Sequence, residues 1–556
     1  MSFALSAGVT GLQAHQKMLD VAGNNLANVN TTAFKASRIT FSELLSETIK
    51  KASQPTSGVG GTNPQQMGSG VAVGGISPNM TQGNLVNTGN PLDLALEGEG
   101  YFVLSAGQQN IYTRAGTFGV DASSNLVDPT TGYLVQRIID PSGESDGFQA
   151  AGNSNIHVPY DVAMAANATT EVTVSGNLSA DAARDTPQAQ VMASSVAYTT
   201  NKGETADLTT FISGLDQYSG TLTSGTITIA GYQPDGTPFS GAGTTFSVGA
   251  TTTLGGLINH LNSNVLSGAT ASLVNGKIRV TDDVGGYSKS DISLSYSGDG
   301  TLTTPAYFEM AAVGGEEYKS INITVYDSQG GKHVLSGAFV RTDAANTWDM
   351  VLTSITGNVA GIDMDNRRIE GISFDPTDGS YAGMSGTDSS NFVVTFANNL
   401  SSPQTLSMQM GSVGQFDGLT QFAGNSTAVA RAQDGYEAGR LSTVSVDNEG
   451  TVIGAFSNGI KKEIATIQIT LFQNPSALES VGSGYYVSSA NSGEAVATQA
   501  MTGGAGRIHG GALEKSNADV ATEFVNMIQA QNGFQANART ITVANDILRE
   551  LTSLIR

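Results

Sequence analysis

At 556 residues the chain is too long for one hydrophobic core and implies about three or four domains. Its 48 Asp+Glu against 26 Lys+Arg give a net charge of −22. No Lys/Arg cluster supplies a phosphate-binding footprint, which argues against nucleic acid as a partner. Cysteine is absent, so disulfides, thiol catalysis and thiolate metal sites are excluded together. The acidic charge is confined to the middle: residues 1–50 carry four Lys/Arg against three Asp/Glu, and residues 514–556 carry four against five. Near-neutral ends suit dense packing with further copies, and an acidic middle suits a solvated exterior.

Residues 3–29 predict a helix, because Leu5, Leu12, Leu19 and Leu26 recur every seventh position and Val9, Ala22 and Val29 widen the stripe. Asn24, Asn25, Asn28 and Asn30, followed by Thr31 and Thr32, then erode helix propensity and offer capping groups. The N-terminus has no basic region followed by an apolar run, so no cleaved secretory signal is expected, and no stretch reaches the 18 to 20 apolar residues of a membrane span. A second short helix is expected over residues 36–50, within an extended Gly/Pro/Ser-rich linker region spanning 36–90.

From Leu92 the pattern turns to short strands. Leu92, Leu94 and Leu96 alternate, and Tyr101–Leu104, Ile111–Arg114 and Gly132–Val135 follow between glycine turns. The same texture returns at Leu441–Val446, Ile464–Leu471 and Gly484–Val487, which are expected to complete one discontinuous β domain made of residues 91–157 and 398–514. Strands at 171–175, 320–327, 334–340, 348–352 and 392–396 make a second β domain of residues 158–194 and 306–397. A third β-rich module, residues 195–305, is inserted into it at a loop, where insertion costs little. Strands are expected there at 226–229 and 276–280, with one short helix at 254–266.

The chain closes on a helix over about 517–554, with Val520, Met527, Phe534, Ile541, Leu548 and Ile555 at heptad spacing and Phe524, Ala538 and Ala544 beside them. Gly533 interrupts it at a cost of about 1 kcal/mol relative to alanine. Neither terminal stripe has a neighbour within its own terminus to bury it. The two therefore pack on each other, on another copy, or on a membrane surface, and the polar faces lack the dense Lys/Arg that a membrane surface favours. The expected class is multidomain and mainly β: nested discontinuous β domains, with the N- and C-terminal α-helices (residues 1–35 and 515–556) forming a coiled-coil-like inner domain.

Chemistry has little footing. His157, His260, His333 and His509 are far apart in sequence, and His15 lies in the first helix, so no metal-ligand grouping emerges. Asp282 and Asp283 lack the ordered ligand spacing of a calcium loop, and Gly58–Gly61 lacks the lysine of a phosphate loop. No catalytic residue, cofactor or metal is expected.

The end segments resemble the bacterial flagellar rod and hook axial proteins. The resemblance rests on Gly11-Leu-Gln-Ala-His-Gln16, Leu19-Asp-Val21, Asn24-Asn-Leu-Ala-Asn-Val-Asn-Thr31 and Ala33-Phe-Lys-Ala-Ser-Arg38 at the start. At the close it rests on Gly511-Ala-Leu-Glu-Lys-Ser-Asn517, Asn526-Met-Ile-Gln529 and Gln531-Asn-Gly-Phe-Gln-Ala-Asn537. Residues 96–103 and Tyr112–Gly116 are similar to the family's inner β domain. The chain departs from the family at Ala33, where glycine is usual, and at Ala518 and Gly533, where bulkier residues are usual. The resemblance implies a hook subunit that polymerises into a hollow, bendable tube transmitting torque from motor to filament. It further implies export through the flagellar apparatus without signal cleavage. Its partners would be copies of itself, the hook cap, the distal rod and the hook–filament junction proteins, with neither nucleic acid nor membrane insertion. The long nested insertion favours hook over distal rod or another axial subunit. A secreted β-rich adhesin would leave the paired end motifs unexplained. Axial assembly is expected of Leu5, Leu12, Leu19, Leu26, Val29, Val520, Phe524, Met527, Phe534, Ile541, Leu548 and Ile555.

Overall fold

The computed structural model describes residues 2–107, 109–139, 148–150, 152–181, 186–384 and 390–554. Three α-helices occur among them: α1 (Ser2–Ala27), α2 (Leu254–His260) and α3 (Val520–Leu554). Most of the remaining regular structure is short β-strand, so the chain is mainly β with its long helices at the ends. It divides into two compact units, residues 1–163 with 440–556, and residues 164–439.

In the first unit, α1 and α3 pack antiparallel: Gly8 lies against Ile541 and Asn537, Gly11 against Asn537, and Gly533 against His15. Asp519 caps α3. Its carboxylate accepts from the Thr522 N–H (3.1 Å) and the Thr522 hydroxyl (2.6 Å), and these bonds hold its pKa below the usual carboxylate value. The helix expected over 36–50 is absent. Ser37–Glu43 instead pairs antiparallel with Val71–Pro78 across a bulge at Thr40/Phe41, and Ser46–Lys50 pairs with Gln65–Gly68. Ile39, Thr40, Thr48 and Ile49 are β-branched and favour a pleated ribbon once a partner strand is supplied from downstream.

The inner β sheet draws its strands from both ends of the chain, as expected. Tyr101–Ser105 pairs with Asn110–Thr113 on one side and Ile469–Leu471 on the other, and Tyr485–Val487 adds beyond Asn110–Thr113. Edge-to-face rings fasten the halves: Tyr112 to Phe472 at 4.8 Å and Tyr101 to Tyr486 at 5.9 Å. Leu94–Glu97 pairs with Arg507–Gly510, and Leu94, Ala95 and Leu96 are all fully buried. The alternation at 92–96 thus belongs to a strand covered on both faces.

The second unit holds a five-stranded antiparallel sheet, from Tyr318–Tyr326 through Lys332–Arg341, Thr347–Ile355 and Arg368–Phe374 to Tyr381–Met384. A further sheet is organised on Glu171–Ser179. This strand runs parallel to Gln404–Gln409 and Leu419–Phe422 and antiparallel to Val429–Gln433. Trp348, Phe339, Phe392 and Val172 share one core. Because strands as late as 433 complete that sheet, this second unit runs to 439. The inserted module contributes Gly225–Tyr232 paired with Asp291–Gly298, Lys277–Asp282, and α2, whose N-cap Thr253 accepts from the Gly256 N–H. α2 continues as one π-turn, Leu261–Val265.

Candidate assembly site

The helix pair is close because its facing residues are small. Gly8, Gly11, Ala14, Ala22 and Asn25 are the buried residues of α1, while Leu5, Leu12, Leu19, Leu26 and the following Val29 are only partly covered. A Cβ on Gly8 would stand 3.0 Å from the Ile541 Cγ1, and one on Gly11 would stand 2.8 Å from the Asn537 amide. On α3 the shielded positions include 523, 527, 530, 534, 537, 541, 544 and 548, the alternating three- and four-residue spacing of a helix seam. Met527, Phe534, Ile541 and Leu548 lie on it. Val520 and Phe524 do not: they are 40% and 50% exposed. Ile555 lies outside the described residues.

Gly533 is no flaw in this helix. A Cβ there would stand 2.5 Å from the His15 ring, so the glycine makes the space into which α1 places its imidazole. The hydrophobic period could not reveal this; the signal was the repeat of small residues facing a bulky partner.

Below the helices, polar side chains join the two chain ends. Asn25 donates to Glu523 Oε1 (3.0 Å) and to the Ser37 carbonyl (2.8 Å), and accepts from the Ser37 N–H (2.9 Å). Asn517 accepts from the Ala36 N–H (2.7 Å) and donates to the carbonyls of Asn79 and Thr81. Lys35 donates to Glu514 Oε1 (2.7 Å), which also accepts from the Gly83 N–H (2.7 Å), with Arg114 3.9 Å from Oε2. Lys35 and Glu514 are both buried. Burial pulls the Lys35 pKa below the ordinary lysine value, and the Glu514 carboxylate opposes that shift. Asn25, Lys35, Ser37, Glu514 and Asn517 all belong to the end segments that carry the family resemblance. Those segments therefore encode a weld between N- and C-terminal strands rather than a reactive centre.

The weld dictates the backbone at Ala33. Its N–H donates to the Glu514 carbonyl (2.8 Å), and its φ is +55°, a left-handed conformation that favours glycine. The family's usual glycine is thereby explained.

The outer face of this assembly is apolar. Val520, Phe524, Val525 and Ile528 near the start of α3, and Val543, Ile547, Leu551 and Leu554 near its end, are all exposed. So are Leu45, Ile49 and Ile76 of the adjoining ribbons. Among the described residues no group of three metal-ligating side chains occurs, and no helix is long and apolar enough to cross a membrane.

Sequence comparisons agree with this organisation. Residues 5–35 match the family described as flagella basal body rod protein, and 509–554 match the C-terminal family of flagellar basal body rod FlgEFG proteins. Residues 95–180 match the flagellar hook protein FlgE/F/G D1 domain, and 291–436 match the flagellar basal body protein FlaE D2 domain. Helix pair, inner β domain and outer β domain in this order define a flagellar axial protein.

Over full length the chain is 30% identical to the flagellar hook protein FlgE of Treponema pallidum, covering 100% of both chains. It is 29% identical to that of Borreliella burgdorferi, again over 100% of both, and 27% identical to that of Escherichia coli over 99% of this chain and 100% of the relative. The chain belongs to the flagellar hook protein FlgE family. As such it is an extracellular structural component of the motility apparatus and not an enzyme.

Proposed function

We propose that this chain polymerises into the hook itself, a hollow bendable tube that carries torque from motor and rod to filament. The observation that supports this is the uncovered apolar surface of α3. A helix that satisfies one face on α1 and leaves large aliphatic side chains on another exposed is built to be completed by further copies, each buried side chain contributing roughly 1.5–3 kcal/mol. A contact between two different patches of the same subunit does not close on itself and extends as a helical filament. Leu5, Leu12, Leu19, Leu26, Val29 and the α3 residues Val520, Phe524, Met527, Phe534, Ile541, Leu548 and Ile555 form the axial layer in this reading. The β domains of neighbouring copies slide during bending. The subunit reaches the tip through the flagellar export apparatus without signal cleavage, adds beneath the hook cap, and meets the distal rod and hook–filament junction proteins at the two ends.

The test is electron microscopy of cells carrying an in-frame deletion of the gene. Basal bodies with complete rods and no hook are expected. Truncated rods would move the protein into the rod, and unaltered hooks would overturn the proposal.

A further inference from the structure

At the base of the helix pair, α1, α3 and the strand Ser37–Glu43 leave an open groove of about 350 Å³. Met18, Val21 and Ile39 supply its apolar wall, Thr522, Glu523 and Asn526 its α3 side, and Arg38 stands on its rim. At the opposite end of α3 the last turns run past the start of α1. Gly8 lies against Ile541, so in an antiparallel pair the first residues of α1 reach only to about residue 547. On that overhang Ile547, Leu551 and Leu554 are 48%, 37% and 80% exposed. Their spacing puts them on one helical face, and Glu550 shares it. Among the described residues neither Arg38 nor Glu550 has an ion-pair partner.

We propose that the overhanging end of α3 from a second copy of this chain seats in this groove, with Ile547 and Leu551 against Met18, Val21 and Ile39, and Glu550 paired with Arg38. This rests on the self-assembly reading and names its contact. Three observations select the occupant. An apolar ridge and an apolar groove lie at opposite ends of the same helix. Arg38 on the groove's rim and Glu550 on the ridge are of opposite sign; Glu523, which also lines the groove, is occupied by Asn25 and Asn526, and Arg549 adjoins Glu550 one position along the helix. Within one chain the two cannot meet, since the 28 residues from Thr522 to Glu550 span about 42 Å of helix. A ridge-to-groove contact of this kind is head-to-tail and propagates, which is what a tube requires and a two-fold dimer does not supply.

Two experiments test it in cells assembling hooks. Arg38→Glu and Glu550→Arg are each expected to reduce assembled subunits about threefold or more, and the double exchange to restore them to near the wild-type number. Because the chain has no cysteine, Arg38→Cys/Glu550→Cys treated with a short thiol-to-thiol crosslinker is expected to give a ladder of covalent oligomers, and each single variant none beyond a dimer. Normal hooks from both charge reversals, no rescue by the exchange, or polymer of the double-cysteine chain without a ladder would each overturn this docking while leaving self-assembly in place. Failure of the unaltered chain to form any polymer would instead overturn the reading on which it rests.

Discussion

Ala33 shows how three small effects set the outcome of one substitution. Holding an L-residue in the left-handed region costs about 1–2 kcal/mol, which glycine would relieve. Against that, Ala33 is 2% exposed, so its methyl contributes about 0.8 kcal/mol, and glycine would add about 0.4–1 kcal/mol of unfolded-state entropy. Ala33→Gly should therefore leave stability within about 1 kcal/mol of the parent, whereas Ala33→Val, β-branched at positive φ, should lose more than about 2 kcal/mol. Thermal dissociation of the assembled polymer reads both. A pH effect belongs to this scale too. Arg507 and His509 donate to Glu97 at 2.7 and 2.6 Å and hold its carboxyl down to about 2. A carboxylate held below its ordinary 4.5 adds stability above pH 4.5, and that increment is lost as pH falls through 2. Denaturant unfolding of parent and Glu97→Gln should thus differ at neutral pH and converge across that acid window. Because the side chain is 41% exposed, the difference should be small and should shrink with added salt.

At the scale of elements, α1 and α3 were legible because heptad spacing repeats over many turns, and most strands because period-two runs sit between glycines. The face by which the helices meet was not legible. The leucines of α1 are the visible signal, yet Gly8, Gly11 and Gly533 make the close approach, and a hydropathy pattern does not register a residue chosen for being small. The ribbon at 37–50 escaped for another reason: its strand identity depends on residues 65–78, a partner that local propensity does not contain. The weld of Lys35, Glu514 and Asn517 was visible only as a resemblance of sequence ends. Its side-chain bonds join residues about 480 positions apart. Gly533 allows the seam to be tested. Alanine should gain about 1 kcal/mol of helix propensity but must displace a His15 ring packed beside Phe41. Gly533→Ala is expected to weaken assembly, while His15→Ala/Gly533→Ala recovers more than the two separate effects predict, a non-additivity read from polymer yield.

At the scale of the whole molecule, residues 195–305, expected from the sequence to be an inserted module, are not a loosely tethered ornament of the second unit. Their core residues Ile278, Val280 and Ile292 belong to one hydrophobic cluster with Ala338, Val340 and Val351 of the five-stranded sheet. Polar groups reinforce that junction. Arg367 is buried and donates to Asp291 Oδ1 (2.9 Å) and to the Leu352 carbonyl (2.9 Å), and Lys289 meets Glu370 at 2.7 Å. Desolvation pushes the Asp291 carboxyl above its usual pKa despite the guanidinium, so the pair costs much of what it returns. The consequence is an asymmetry. Asp291→Ala, which leaves Arg367 charged and unpaired in the interior, should destabilise the second unit by about 3–5 kcal/mol, and Asp291→Leu/Arg367→Met should cost less than that single change. If module and host sheet form one cooperative unit, Asp291→Ala lowers a single thermal transition for residues 164–439. A transition confined to the module, with the host's melting unchanged, would show that the shared core does not couple them and that the module can be exchanged without loss of the domain that carries it.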